Sequence, residues 1–582
     1  MNSTTKDEAP GEAEPSSSTE DLEFTDETLT DKEAEELLEE EEEEEAAKEE
    51  PGDEEDEKEK GPSLRERFRQ ADLVSKLRLP GPAKTGLILV CIFLVALFLR
   101  GYFGYGPATE HGVPFLYSGG SDSFYHQRAI EYGLEEHRHL RFDPLLNYPV
   151  GFSNPRPPFF DYSAVVFGEM LAPVFFGGDA LHAASFVLIW ITAVFGALTI
   201  FPVYALAKQA FSRRIGLIAA LLLAIMPAHI ERSVITNADH DSTAIFFMIT
   251  CFYFFLRALH FMKVEKWVGS WHRPGDIVSG VGRMVRENRM STLYAFLSGV
   301  AFAMVALTWQ GYPYLLSVIV FYFFITLLMD KFRGVDPLSV TFITGIALFS
   351  GFVIAYPYYY FWGFIGQWYD TPFLIFLIAM AVGFAFCATR DYPWLFVFPA
   401  GILVGLGAFF LLSYVNPGFQ NTVVSGQGYF FFRSKLYSTI AEAQPAQFSR
   451  MAVSFGMGAF LLALWGVAHV AANYRKNPRH DYLFVVAFAI VGMTFTVSQG
   501  RFLTNGAPII AILAAFVVDK IMGIARFEDI RTSYSSMRGT KVRAAVKSVK
   551  WKHAVIALGL AFLVVIPSLW FAVDAGIPNE EK

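Results

Sequence analysis

The sequence predicts an all-α polytopic membrane protein, and three observations support this fold class. Hydrophobic residues make up 53% of the 582 residues, including 58 Phe, and the mean hydropathy is +0.35. This composition excludes a disordered chain and is unusual for a soluble protein. Apolar runs of about 20 residues, long enough to cross a bilayer as helices, recur along the chain. Lys and Arg concentrate in alternate loops between these runs.

The N-terminal segment differs from the rest of the chain in charge. Residues 1–60 carry 28 acidic and 5 basic side chains, whereas the remainder carries 29 acidic and 42 basic ones. A low-complexity acidic segment repels itself and cannot bury a core, so we expect residues 1–62 to form a disordered cytoplasmic tail. Residues 63–84 place apolar residues at near-helical spacing among Arg and Lys, which is typical of an amphipathic juxtamembrane helix. The three cysteines indicate neither a disulfide framework nor a cysteine-based metal site.

The apolar runs predict about 13 membrane-spanning helices in a membrane domain at residues 85–574. A further apolar stretch, 159–177, contains Asp161 and Glu169, so we expect it to lie as a helix at the membrane interface rather than to span. The predicted spans are 86–104, 183–207, 214–230, 242–262, 291–309, 312–329, 338–358, 372–388, 393–415, 450–473, 481–498, 505–523 and 552–573.

The distribution of Lys and Arg orients these spans with the N-terminus in the cytoplasm. The strongly basic loops at 263–290 and 520–552 then lie inside, and the second of them carries nine Lys and Arg residues. The odd number of spans places the C-terminus outside. The two longest outside loops are the first, 105–182, and the fifth, 416–449. We therefore expect a multi-pass cell-membrane protein whose site is built on the external face.

Asp239, His240 and Asp241 form a D-x-D motif at the outer end of the fourth span. Two carboxylates two residues apart in a loop can face one cation, and Asp122 in the first outside loop supplies a third oxygen ligand. Such carboxylates hold Mg²⁺ or Mn²⁺, with water or phosphate completing the coordination shell. Alternation of side chains predicts that His240 points away from the cation. Alternatively, Asp241 caps the following helix, which is compatible with metal binding by Asp239.

Three outer residues have both functional and structural interpretations. Asp122 lies in "GGSDSFYHQR", Glu442 in "STIAEAQPAQ" and Arg501 in "SQGRFLTNGAP". Asp122 could cap a short external helix, and Glu442 could be a solvated loop residue. Arg501 could reach the membrane interface or clamp a phosphate. Their predicted position on one side of the membrane favours a common site.

These motifs, in this order and on one face, resemble those of the catalytic subunit of oligosaccharyltransferase, especially the archaeal form. The resemblance covers about residues 85–582. "RFDPLLNYPVGFSNPRPPFFDY" is similar to the archaeal first external loop, Asp239-His240-Asp241 to a D-x-D or D-x-H motif, and Thr439-Ile440-Ala441-Glu442 to a T-I-x-E motif. The resemblance implies a thirteen-span membrane fold of the GT-C type.

The resemblance also implies an activity: the metal-dependent, inverting transfer of a glycan from a dolichol-linked phosphate or pyrophosphate carrier to the Asn side-chain amide of Asn-x-Ser/Thr sequons. Asp122, Asp239 and Asp241 would hold Mg²⁺ or Mn²⁺, which offsets charge on the carrier phosphate, and Arg501 would hold that phosphate. Asp122 and Glu442 would accept the two N–H bonds of the amide. The implied partners are the donor, an acceptor polypeptide and membrane lipid, with no nucleic acid and no required accessory subunit.

The sequence departs from the family in two respects. Many archaeal members have His where this chain has Asp241. The family also carries an external C-terminal domain with a W-W-D-Y-G motif that reads the sequon hydroxyl, and we expect residues 575–582 to begin such a domain. Two alternatives to the resemblance are another GT-C transferase that uses dolichyl-phosphate sugars and a multispan transporter. A transporter would place charges near the membrane midplane and would often show internal repeats.

Overall fold

The computed structural model describes residues 81–415, 440–524 and 551–577, and the statements below concern these residues. Several sequence predictions lie outside them: the acidic tail at 1–62, residues 63–80 of the juxtamembrane helix, residues 416–439 of the fifth loop, the basic segment 525–550 and residues 578–582. The described chain is predominantly helical, as the composition predicts.

Helices make up nearly all the regular structure of the described residues, and one short hairpin joins them. The α-helices are α1 Gly81–Thr109, α2 Ser121–Glu136, α3 Phe159–Phe175, α4 Ala180–Leu198, α5 Ile200–Ala210, α6 Arg213–Ala224, α7 Pro227–Glu231, α8 Asp241–Phe261, α9 Pro274–Glu287, α10 Arg289–Ala306, α11 Pro313–Arg333, α12 Leu338–Phe361, α13 Asp370–Ala388, α14 Trp394–Val415, α15 Phe448–Phe455, α16 Met457–Lys476, α17 His480–Ser498, α18 Leu503–Ile524, α19 Trp551–Leu560 and α20 Ile566–Gly576. Strand β1 (Phe142–Asp143) pairs antiparallel with β2 (Phe152–Ser153).

Twelve helical segments of the described residues are long and apolar enough to cross a membrane. They overlap all but one of the predicted spans; the exception is 214–230, which is divided between α6 and α7. Pro227 occupies the first turn of α7, where its missing N–H costs nothing, but it cannot continue the hydrogen bonds of α6. The 12 residues of α6 extend about 18 Å, less than the hydrocarbon core of about 30 Å. The count of thirteen spans stays a prediction.

One set of loops meets at one end of the helices, and the candidate carboxylates lie there. We call this end of the molecule the carboxylate end. The backbone N–H of Ser118 donates to the carbonyl of Thr236 (2.8 Å), and Gln310 Nε2 donates to the carbonyl of Pro155 (2.7 Å). The carboxylate end comprises the described residues of 105–182, 231–241, 310–312, 359–371, 440–449 and 499–504. These are the loops that the Lys and Arg pattern assigns to one side.

A second set of loops is joined by a different group of polar contacts. Lys266 Nζ lies 3.1 Å from a carboxylate oxygen of Asp391, and Arg333 Nη1 donates to the Tyr474 hydroxyl at 3.0 Å. These residues belong to the loops that the sequence assigns to the cytoplasm. The predicted division of the loops into two sets therefore agrees with the contacts.

Helix α3 corresponds to the predicted interfacial helix at 159–177. It packs closely against α4, because a Cβ added to Gly168 would lie 2.6 Å from the Cα of Ala184. Small residues permit such close approach of helices in membrane proteins. The two acidic residues of α3 have different environments, since Asp161 is buried and Glu169 is exposed. The α3–α4 contact thus fixes a buried carboxylate beside the membrane domain.

Arg100 of α1 is fully buried, and its hydrogen-bond partners among the described residues are neutral. Its guanidinium donates to Ser233 Oγ (2.8 Å), to His229 Nδ1 (2.7 Å) and to the backbone carbonyls of Ala96 (2.8 Å) and Ala224 (3.3 Å). Because a guanidinium can only donate, His229 Nδ1 is the acceptor in this contact, and its imidazole is neutral. Arg100 therefore ties α1 to the segment that precedes the D-x-D motif.

We expect Arg100→Met to lower the free energy of unfolding by at least about 2 kcal/mol, because hydrogen bonds from a charged donor are lost and buried acceptors are left unpaired. The measurement is the thermal midpoint of the detergent-solubilised protein, followed by size-exclusion chromatography after heating. Arg475→Met removes an exposed arginine near the end of α16 and serves as the matched control. Equal midpoints for the two variants would contradict the structural role of Arg100.

Candidate active site

The centre of the carboxylate end is a buried imidazole between two carboxylates. His126 Nδ1 lies 2.6 Å from Asp161 Oδ1, and His126 Nε2 lies 3.2 Å from Asp239 Oδ1. His126 belongs to α2, Asp161 to α3, and Asp239 to the loop before α8. All three side chains are almost completely buried. The imidazole therefore connects three separate segments of the chain.

His240 joins this cluster, contrary to the prediction that it points away from the cation held by Asp239. Its Nδ1 lies 2.6 Å from Asp239 Oδ1 and 3.3 Å from His126 Nε2. The backbone N–H of His240 also donates to Asp239 Oδ1 at 2.7 Å. One ligating atom from each of His126, Asp239 and His240 lies within 4.8 Å of the others. A carboxylate and two imidazoles at this spacing form a donor set that suits a divalent cation.

The neighbouring carboxylates favour the protonated form of the buried His126 imidazole. Burial alone would lower the pKa of His126, but Asp161 and Asp239 outweigh it and raise the pKa to about 9. Burial would likewise raise the pKa of Asp239, yet the imidazoles of His240 and His126 hold it well below its usual range. A divalent cation bound here would compete with the proton on His126, since a coordinating imidazole nitrogen must be deprotonated.

Asp122 does not cap α2 and does not join the imidazole cluster. The N-cap is Gly120, which makes no side-chain cap, and Asp122 lies in the first turn. The Asp122 side chain is about half exposed, and a carboxylate oxygen contacts Arg156 Nη2. Arg156 also lies over the ring of Tyr125, with its Cζ 4.5 Å from the ring centroid. Asp122 is thus an accessible carboxylate with a cationic neighbour.

Asp241 is the first residue of α8, and it does not cap that helix either. The N-cap position belongs to His240, whose side chain makes no cap hydrogen bond. A carboxylate oxygen of Asp241 lies 3.9 Å from Arg232 Nη1. Of the three predicted metal ligands, Asp239 lies in the imidazole cluster, whereas Asp122 and Asp241 face arginines.

Glu442 shares that arginine with Asp241. Arg232 Nη2 donates to Glu442 Oε1 at 2.8 Å. The Glu442 side chain is about half exposed, whereas that of Arg232 is largely buried. Burial would lower the pKa of Arg232, but the two carboxylates outweigh it and raise the pKa. A permanently charged guanidinium therefore bridges the D-x-D motif and the T-I-x-E motif.

Arg501 lines a cavity of about 820 Å³ that also contains Asp122, Arg156, His240 and Gln310 in its wall. The Nε–H of Arg501 is buried and has no acceptor among the described residues. The short turn that carries Arg501 also contacts the Glu442 segment, since the N–H of Gly500 donates to the Gln444 carbonyl at 2.8 Å. The structure therefore brings Arg501 and Asp122 to one cavity.

A second cavity, of about 540 Å³, lies beside Glu442, which with Asp122 is predicted to be catalytic. Its wall includes Gly119, Gly120, Arg232 and Glu442. Because Asp122 lines the first cavity, both cavities reach the start of α2. The arrangement can hold an anion near Arg501 and a neutral hydrogen-bond donor near the carboxylates.

Sequence reasoning missed four residues of this site: His126, Asp161, Arg156 and Arg232. His126 follows Asp122 by four residues, which places both on one face of a helix, so its spacing was an available signal. In the sequence, Asp161 is distinguished only as an acidic residue in an apolar stretch. Nothing in the local sequence distinguishes the two arginines from other loop arginines, because their partners are distant in the chain.

The comparisons with known proteins agree on one family. The family model described as "Oligosaccharyl transferase STT3, N-terminal" matches residues 86–558. The chain is 24% identical to dolichyl-phosphooligosaccharide-protein glycotransferase 3 of Archaeoglobus fulgidus, over 69% of this chain and 46% of that protein. It is 26% identical to dolichyl-monophosphooligosaccharide–protein glycotransferase AglB of Haloferax volcanii, over 70% of this chain and 40% of that protein. The aligned chain spans less than half the length of these two curated relatives.

Solved structures of archaeal oligosaccharyltransferase show the same fold. AglB from Archaeoglobus fulgidus in complex with an inhibitory peptide and a dolichol-phosphate has a TM-score of 0.70 at 19% identity, covering 85% of this chain and 56% of that one. The Archaeoglobus fulgidus oligosaccharyltransferase complex with Zn and sulfate has a TM-score of 0.58 at 19% identity, covering 84% and 53%. Because the family model covers most of the sequence and the helical fold agrees with it, the chain belongs to the oligosaccharyl transferase STT3 family.

Proposed function

We propose that this chain is the membrane-embedded catalytic part of a protein N-glycosylation enzyme. It transfers a glycan from a dolichol-linked phosphate or pyrophosphate carrier to the side-chain amide of Asn in Asn-x-Ser/Thr sequons. The curated relatives are named as dolichyl-phosphooligosaccharide and dolichyl-monophosphooligosaccharide glycotransferases. Solved neighbours include a complex with dolichol-phosphate and inhibitory peptide, and one tethered to an acceptor peptide with an NVT sequon.

The observation that carries the proposal is the pair of cavities that reach the start of α2. One contains Arg501 and the other contains Glu442, and Asp122 lies at the start of α2 on the Arg501 side. A transfer reaction needs a donor site and an acceptor site that share the reacting groups. The two cavities supply both, with accessible carboxylates between them.

The cavity that contains Arg501 suits the donor. Arg156 and Gln310 also line it, so its polar wall is rich in N–H donors. The unpaired Nε–H of Arg501 is positioned to bind a phosphate oxygen of the carrier, and guanidinium groups bind phosphate in bidentate fashion. Arg501 orients the leaving group and offsets the negative charge that grows on it as the glycosidic bond breaks.

The carboxylates of Asp122 and Glu442 suit the acceptor amide. Each side chain contacts an arginine, and a carboxylate oxygen accepts hydrogen bonds from N–H groups. An amide nitrogen is a poor nucleophile because its lone pair is delocalised into the carbonyl. Two carboxylates that each accept one N–H favour a twisted amide with a more localised lone pair. The nitrogen then attacks the anomeric carbon as the bond from that carbon to the carrier phosphate oxygen breaks. The carrier phosphate leaves with the electron pair, and one amide proton passes to one of the two carboxylates.

The residues of the site fit a divalent cation, with Asp239 as its central ligand. Asp122 and Asp241 are the further ligands proposed from the sequence, and His126 and His240 are the ligands proposed from the geometry. Nitrogen donors favour Mn²⁺ or Zn²⁺ over Mg²⁺, which prefers oxygen ligands only. When bound, the cation supplies positive charge that stabilises the charge developing on the carrier phosphate. Asp161 holds His126 in position by accepting from its second ring nitrogen.

The proposal also includes the orientation and the domain division. We propose that the carboxylate end faces the exterior of a cell membrane and that the acidic segment 1–62 lies in the cytoplasm, because Lys and Arg concentrate in the opposite set of loops. Residues 85–574 form the membrane catalytic domain, with its external loops at 105–182 and 416–449. The predicted surface segment at 63–84 lies along the cytoplasmic face as far as Gly81, where α1 begins, and 575–582 lie outside.

Single-cysteine labelling tests the orientation. In a background of Cys91→Ser, Cys251→Ala and Cys387→Ala, we expect Glu442→Cys in intact cells to react with a membrane-impermeant maleimide. Lys266→Cys should react only after the membrane is opened, because it lies in the opposite loop set. Labelling of both positions from the same side would contradict the arrangement.

Cation affinity tests the metal site without any need for activity. We expect Asp239→Ala to abolish the binding of Mn²⁺ to the purified chain, measured by electron paramagnetic resonance of free Mn²⁺. His240→Ala should weaken binding at least tenfold, and Asp161→Asn about 10- to 100-fold through the orientation of His126. The control is His137→Ala, which removes an exposed histidine at the end of α2. If His240→Ala binds Mn²⁺ as tightly as the parent, His240 is not a ligand and the carboxylates alone hold the cation.

Sequon occupancy in native glycoproteins tests the activity. With the variants introduced at the chromosomal locus, we expect Glu442→Gln and Asp122→Asn each to lower transfer by about 100-fold or more, since each loses a charged acceptor of the reacting N–H. Glu169→Gln, an exposed external carboxylate of α3, should leave occupancy unchanged. Glycopeptide mass spectrometry provides the measurement. Normal occupancy in the two site variants would show that other residues activate the amide.

A further inference from the structure

A third cavity, of about 960 Å³, lies at the carboxylate end and shares no lining residue with the other two. It is formed where the loop that follows α2, helix α3 and the C-terminal ends of α10 and α12 meet. Its walls are Tyr132, Arg138, His139, Arg141, Phe142, Pro158, Phe159, Tyr162, Ser163, Val166, Phe167, Leu307 and Trp362. The reaction described above uses none of these residues.

One wall of this cavity consists of hydrogen-bond donors and cations. Arg138 pairs with exposed Glu136 at 3.2 Å, whereas Arg141 is exposed and forms no ion pair among the described residues. The Nε1–H of Trp362 is buried and has no acceptor in the described part of the chain. His139 Nε2 lies 3.3 Å from a backbone carbonyl, so that nitrogen carries the hydrogen. The wall therefore has an excess of positive charge and an unused donor.

The opposite wall is apolar and continues into an exposed hydrophobic face of α3. Val166 and Phe167 line the cavity and are 45% and 51% exposed. Met170 and Val174 follow at helical spacing and are 63% and 68% exposed. Aromatic residues at the end of α12, Tyr360 and Phe361, are also exposed. In a membrane protein such a face contacts lipid chains, and the ring-rich end lies at the headgroup level.

We propose that this cavity binds one phospholipid with an anionic headgroup, from the leaflet at the carboxylate end. The phosphate is held by Arg138 and Arg141 and accepts from Trp362 Nε1, and the acyl or isoprenoid chains lie along Phe167 and the exposed face of α3. Guanidinium groups bind phosphate through charge and paired N–H donors. A zwitterionic lipid would bring its own cation next to two arginines and fit less well.

The separation of the cavities identifies a structural lipid rather than the glycan carrier. A carrier phosphate must reach Arg501 and Asp122, and neither lines this cavity. The bound lipid would instead join α3 to the loop that follows α2 and to the end of α12. Because α3 carries Asp161, which holds His126 at 2.6 Å, the lipid supports the position of the catalytic cluster without touching it.

Lipid retention by the purified chain tests the proposal. Native mass spectrometry in detergent, with added phosphatidylglycerol, phosphatidylcholine or dolichyl phosphate in separate arms, gives the affinity of each. We expect one phosphatidylglycerol to bind with saturation, and the double variant Arg138→Gln/Arg141→Gln to bind it about 30-fold more weakly, since each arginine contributes about 1 kcal/mol. The matched control is Arg286→Gln/Arg289→Gln, which removes two exposed arginines from the basic loop at the other end and should leave the affinity unchanged.

A second variant tests whether lipid binding depends on the space in the cavity as well as on its charge. Ser163→Phe fills the cavity wall without changing charge and should also remove the bound phosphatidylglycerol, while both variants elute from size-exclusion chromatography as the folded parent does. Equal binding of phosphatidylcholine and phosphatidylglycerol, or unchanged binding in both cavity variants, would overturn the proposal. Tighter binding of dolichyl phosphate that is lost in Ser163→Phe would also overturn it, since the cavity would then belong to the carrier.

Discussion

The hydrogen bonds of one buried imidazole determine how the carboxylate end is assembled. His126 contacts Asp161 through one ring nitrogen and Asp239 through the other, so α2, α3 and the loop before α8 cannot move independently. Each of the three groups would be costly to bury alone, because an isolated charge in a low-dielectric interior loses its hydration. The His126 imidazolium offsets part of the negative charge of Asp161 and Asp239, and the three residues together position the segments that carry Asp122 and His240.

The cost of burying an unpaired charge also explains why arginines lie beside the other carboxylates of the site. Arg156 contacts Asp122, and Arg232 contacts both Asp241 and Glu442. A planar guanidinium group can donate to several acceptors at once, so two arginines are enough to pair with the three carboxylates. The carboxylates that remain half exposed, Asp122 and Glu442, are those that line or adjoin the cavities. The groups that hold the segments together are thus buried, whereas the two carboxylates proposed to contact the acceptor are half exposed.

The sequence predicts much of this architecture because a bilayer imposes simple rules. Every backbone polar group in hydrocarbon must bond internally, so apolar runs become helices, and twelve of the predicted spans are helical segments of sufficient length. The orientation of His240 was mispredicted because alternation applies to extended chains. Its backbone is instead helical, with φ −74° and ψ −9°, which turns the imidazole back towards Asp239. The pairing of Arg232 with Glu442 joins residues 210 positions apart, and local patterns carry no information about such contacts.

The neutral partners of Arg100 have a consequence for the order in which the helices assemble. A lone arginine in a hydrophobic helix is expensive to place within a bilayer. Three of the four acceptors of Arg100 come from residues that lie 124 to 133 positions later in the chain. During synthesis α1 therefore emerges long before the groups that satisfy its guanidinium. The set of acceptors that surrounds the buried Arg100 is complete only after α6 and α7 have been made.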